Sequence, residues 1–93
     1  MSTRFDGAVV REQGVSFAIV VVKSAAMQTQ NDATKTRAAF RACFSGLPIV
    51  LASQDSNGMF EYQGRKDLVG FLASIDPSRI PWKEYTFGES SLS

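Results

Sequence analysis

Five polar residues have types and positions that admit chemistry: Lys23, Ser24, Gln54, Asp55 and Asn57. Lys23 and Ser24 close the apolar run 17–22. Gln54 and Asp55 follow the apolar run 47–52, and Asn57 lies in the turn after it. Lys23 and Asp55 are the one pair there suited to moving a proton. Together the five would surround a small polar cleft able to take a small molecule. The plainer alternative is that they are ordinary strand-end and hairpin residues. A second group gathers Glu12, Gln13, Gly64, Arg65 and Asp67. The planar guanidinium of Arg65 suits a carboxylate or phosphate, or it pairs with Asp67 or Glu12 and fixes a corner. Asp67 also suits the first turn of a helix through the helix dipole.

Much familiar chemistry is excluded by composition. The chain has no histidine and one cysteine. Ser-His-Asp and Cys-His catalysis within one chain are therefore absent, as are the usual Cys/His zinc sites. The aspartates show no metal-ligand spacing, and no glycine-rich phosphate loop occurs. No metal and no cofactor is expected. Cys43 lies on an apolar stripe between Phe40 and Phe44, where a thiol is inert core filler. A lone cysteine forms no internal disulfide and gives no sign of an oxidising compartment. No apolar leader stretch opens the chain, so a cytoplasmic protein is expected.

Ten basic against nine acidic residues leave a net charge of +1, which lacks the electrostatic footprint of a nucleic-acid binder. Nucleic acid is thus an unlikely partner by composition. Arg37 and Arg41, four apart, and the adjacent Arg65 and Lys66 are the places where a weak nucleic-acid contact would form. Otherwise they are a solvated helix face and a solvated loop.

These residues need a scaffold, and its centre is the run 17–22. It is apolar at both strand parities, as in a strand buried on both faces. It is too short to cross a membrane, which takes about 20 apolar residues, so no membrane partner is expected. Strand 5–11 precedes it through a glycine-containing loop and makes a hairpin with strand 15–23. A polar loop over 24–31 leads to a helix capped by Asn31 or Asp32. That helix runs to about residue 45, with Ala33, Phe40, Cys43, Phe44 and Leu47 inward and Gly46 as its stop. Strand 47–52 follows. The Asn57-Gly58 turn joins it to strand 59–63, which carries Phe60 and Tyr62 on one face. A second helix spans 65–74, where Gly70 either costs about 1 kcal/mol relative to alanine or marks close packing. Residues 83–87 suit a fifth, edge strand, and 88–93 form a frayed tail.

The expected fold is α+β, or two-layer α/β, in the order ββαββα with room for that fifth strand. The whole forms a single domain over residues 1–87. The right-handed crossover makes the strands flanking the first helix parallel. The mixed sheet would carry both helices on one face, leaving the other to solvent, the segment 80–87 or another subunit. Trp82, Tyr85 and Phe87 would dock on that open face or form a dimer interface, where Trp and Tyr are enriched.

Residues 54–58, 62–69, 71–72 and 80–87 together resemble a group of small stand-alone bacterial proteins of unknown function, over most of the chain. The resemblance implies no activity. It implies only that the Asp55–Gly58 turn, the Tyr62–Asp67 corner and the Pro81-Trp82 segment are features of that group. The stretch 47–71 is similar, more weakly, to the C-terminal half of thioredoxin-like folds, where a strand opening with proline leads to a hairpin, a glycine and a helix. No Cys-x-x-Cys is present, Cys43 falls mid-helix, and the first two strands form a hairpin. Neither that fold nor its activity carries over.

From sequence, then, the chain reads as a non-catalytic binding or interaction module acting as a homodimer. A small-molecule or enzymatic site around Lys23, Gln54 and Asp55 is the alternative. A weak nucleic-acid contact is the third reading.

Overall fold

A computed structural model describes residues 3–12, 14–44 and 46–87, with Thr3 and Phe87 described as backbone only. Gln13 and the tail expected over 88–93 lie outside the described residues. Five strands, β1 (Thr3–Glu12), β2 (Val15–Val21), β3 (Ile49–Gln54), β4 (Phe60–Gln63) and β5 (Lys83–Phe87), form one sheet. Their order is β4-β3-β2-β1-β5. β2 and β3 are parallel, with Ala18 opposite Ile49. β1 pairs antiparallel with β2, β4 with β3, and β5 with β1. The mixed sheet with two helices and the fifth edge strand is the expected architecture.

The apolar run explains the centre. Phe17, Ala18, Ile19 and Val20 are all fully buried. β1 comes unusually close to β2 at Gly7, where a Cβ would stand 2.7 Å from the Ile19 carbonyl oxygen. A side chain there would force the two central strands apart.

The placement of the helices corrects the sequence expectation. α1 (Gln30–Phe40) and α2 (Lys66–Ala73) lie on opposite faces of the sheet. Ala33 of α1 packs with Ala18, Val20 and Leu51. Leu68 and Leu72 of α2 pack with Phe17, Ile19, Val50 and Ala52. β2 and β3 are apolar at both parities, so two helices on one side would have left Phe17, Ile19 and Val50 in water, at roughly 1.5–3 kcal/mol for each such side chain. α2 and Ile80 cover the face expected to be open.

Local boundaries also shift. The loop expected over 24–31 contains a 3₁₀ turn, Ser24–Met27, that buries Met27. Thr29 caps α1, its hydroxyl accepting from the Asp32 amide at 3.0 Å, so the cap precedes the expected Asn31 or Asp32. α1 stops at Phe40. Hydrogen bonds of i→i−3 type then carry the chain through Phe44 towards Gly46, whose φ is +79°. This is the tightened last turn usual at helix ends.

Candidate ligand-binding clefts

The two ends of β3 hold the candidate sites. At its carboxyl end the hairpin to β4 closes on its own polar groups. The Asp55 carboxylate accepts from the amides of Asn57 at 2.8 Å and Met59 at 3.0 Å. The Gln54 side-chain amide donates to the Gly58 carbonyl at 3.0 Å. Gly58 takes φ +82°, the left-handed conformation that glycine enters without penalty. Asp55 is thus the acceptor that shapes the turn. Lys23 is exposed and forms no ion pair among the described residues. The expected Lys23–Asp55 proton-transfer pair does not form, and Asn57 likewise stays in the turn.

Ser24, Gln54 and Asp55 do come together. They line a polar cleft of about 520 Å³ on the α1 side of the sheet, with Gln28, Glu61 and Gln63. Gln54 also lines two clefts built from aromatic residues. One, of about 350 Å³, lies among Asp6, Val21, Phe60, Trp82 and Lys83. The other, of about 510 Å³, runs between β4 and the end of α2 past Met59, Tyr62 and Ile75. Phe60 stacks on Trp82 at 5.3 Å and on Tyr62 at 6.0 Å, offset arrangements that aromatic pairs favour. The Trp82 indole N–H donates to the Pro77 carbonyl at 3.0 Å, which fixes the ring. The Tyr62 hydroxyl is buried without a partner among the described residues, and burial pushes its pKa up. Met59 is 67% exposed beside it.

Sequence reasoning missed Asp6, Phe60, Trp82 and Lys83 as neighbours of Gln54. The shared face of Phe60 and Tyr62 was legible in the alternation of β4. The approach of β1 and β5 was not, because it follows from a pairing between opposite ends of the chain.

The expected aromatic interface is divided. Trp82 packs with the α2-side cluster. Tyr85 lies on the α1 side, stacked on Phe5 at 5.5 Å and edge-on to Phe44 at 5.1 Å. The reason is strand alternation: residues of opposite parity face opposite sides. The Phe87 side chain lies outside the described residues.

At the amino end of β3 the polar groups are arginines. Arg65 grips Asp67 with two hydrogen bonds, 3.1 and 2.7 Å, the corner-fixing alternative. The guanidinium holds the Asp67 carboxyl below the usual carboxylate range. Arg37, Arg41 and Arg65 line one cleft of about 390 Å³ floored by Leu47, Pro48 and Gly64. Lys66 is not among its lining residues. Arg37, expected on a solvated face, is half-buried and donates to the Gln63 side-chain oxygen on β4. Cys43 is half-buried, and burial raises its pKa.

Among the described residues no group of three or more His, Cys, Asp or Glu is placed to hold a metal. No described helix is long and apolar enough to cross a membrane. No family model, characterised protein or solved structure matches the chain, so the functional reading rests on these residues alone.

Proposed function

We propose that the protein is a non-catalytic binding module whose ligand seat is the carboxyl end of β3. One observation carries this reading: Gln54 borders three clefts at once, in the position where open α/β sheets take their ligands. The 350 Å³ cleft has the usual make-up of a small-molecule site, apolar walls with a few convergent polar groups. Val21, Phe60 and Trp82 are the walls, and Gln54, Asp6, Lys83 and Glu84 are the polar groups. A planar, polar-edged molecule of about one ring fits that chemistry. The commitment of the Asp55 carboxylate to two turn amides supports binding over proton transfer. Trp82 is the only tryptophan in the chain, so its emission reports this cleft directly. A panel of nucleobases and small aromatic acids is expected to contain a member that shifts Trp82 emission saturably, with the response weakened in Gln54→Ala. Silence from the whole panel at millimolar concentration overturns the reading.

A homodimer is the second reading. β4 and β5 end the sheet, and an unpaired strand edge is a template for a second copy. Native mass spectrometry giving only the monomer mass at working concentration removes it.

A further inference from the structure

We infer that the cleft between Arg37, Arg41 and Arg65 binds the phosphoryl group of a small phosphate monoester. The three guanidinium groups come from two separate elements. Arg37 and Arg41 lie one turn apart at the end of α1, and Arg65 precedes α2. No carboxylate is among the lining residues. Asp67 is engaged with Arg65, and neither Arg37 nor Arg41 forms an ion pair among the described residues. Arg37 bonds neutral oxygens, those of Gln63 and Thr34. They orient its fork without cancelling its charge. The Arg41 side chain has no hydrogen bond or ion pair among the described residues. Two positive charges are therefore left unmatched in one concave site. Leu47, Pro48 and Ile49 supply an apolar wall, which strengthens charge interactions relative to open water.

Charge selects the ligand. A phosphate monoester carries about −1.5 to −2 at neutral pH, which matches the unmatched charge. A single carboxylate or a nucleic-acid phosphodiester brings only one negative charge. A polyanion also favours a basic ridge over a pocket, and Lys66, which would extend such a ridge, does not reach the cleft. Guanidinium forks pair with phosphate oxygens through two parallel hydrogen bonds.

The test uses the full chain and glycerol 3-phosphate, followed by ³¹P NMR at constant ionic strength. Saturable binding is expected. It should weaken by about tenfold or more in Arg41→Gln, since a charge-assisted hydrogen bond is lost. Arg79→Gln removes the same charge from an exposed site elsewhere and should leave binding unchanged. Affinity should rise roughly tenfold from about pH 5 to about pH 7.5 as the ester gains its second charge near pH 6. Sulfate should compete without that rise. Inorganic phosphate binding as tightly as the ester assigns the site to the free ion, and a tighter ester assigns it to an organic phosphate; both support the site. The absence of saturable binding overturns the proposal, as does equal weakening in Arg41→Gln and Arg79→Gln. It is also overturned if an oligonucleotide binds more tightly than the ester with a steep salt dependence that Lys66→Ala relieves.

Discussion

β3 is six residues long, so its two ends stand roughly 17 Å apart at strand spacing, and they treat polar side chains in opposite ways. At the carboxyl end, Asp55 is consumed by the hairpin, the Gln54 amide nitrogen is tied to Gly58 while its oxygen has no partner among the described residues, and Trp82 is pinned by Pro77. At the amino end, Arg41 is unpartnered among the described residues and Arg37 meets only neutral oxygens. One end spends most of its polar groups on the turn, and the other leaves two positive charges unmatched. A residue that looks reactive in sequence is first a candidate for local hydrogen bonding, and turn-forming aspartate is especially prone to that. Arginines spaced for a solvated helix face keep their charge free, and the fold can then gather them.

Stability measurements test this contrast directly. Trp82→Ala should cost most, about 2–3 kcal/mol by chemical denaturation, because a half-buried indole loses its stacking and its hydrogen bond. Asp55→Ala should cost about 1–2 kcal/mol, since two turn amides lose their acceptor. A negligible cost would return Asp55 to the pool of ligand groups and break the comparison. Between the two ends, Gly70 sits exposed within α2 with open space where a Cβ would go. Gly70→Ala should therefore stabilise by about 0.5–1 kcal/mol, read as a higher melting temperature. This settles the packing alternative left open by the sequence.

Smaller effects distinguish the ends by pH and salt. Asp67 is held low first by the Arg65 side chain, and Asp76 first by the Ser78 backbone amide. A carboxylate depressed on folding contributes stability above its unfolded pKa, near 3.9, and loses it as pH falls through the lower folded value. Acid melting should therefore set in below about pH 4. The Asp67 share should shrink in high salt, because an exposed ion pair is screened, while the Asp76 share persists. Asp67→Asn should free Arg65 and tighten phosphate-ester binding by roughly two- to fivefold. Arg41→Gln should move stability least, within about 0.5 kcal/mol. A large loss there would make Arg41 a structural residue and erase the contrast.

Much of the architecture was legible from local pattern. The run 17–22 identified the central strand, Asn57-Gly58 the hairpin, and the crossover the parallel pair. The same run also held the clue to helix placement. Phe17 and Ile19 need cover as much as Ala18 and Val20 do, so one helix per face follows from the parity of β2. The cap at Thr29 was obscured by better-ranked cap residues just after it. The arginine cleft was half legible, since the i, i+4 spacing of Arg37 and Arg41 was visible. The convergence with Arg65 depends on where β4 returns the chain, which no local spacing encodes. The division of Trp82 from Tyr85 was hidden for a similar reason, because the parity of β5 is set only once it pairs with β1.

The pairing of β5 with β1 places Thr3 opposite Phe87, nearly the full length of the sequence apart. The chain therefore closes on itself like a clasp. Such closure carries the largest loop entropy in the molecule and belongs late in folding, after the local hairpins have formed. The same geometry makes the domain a natural substrate for circular permutation. A short linker from residue 87 to residue 3 would turn the clasp into a hairpin. Folding faster than that of the parent chain is the expected result.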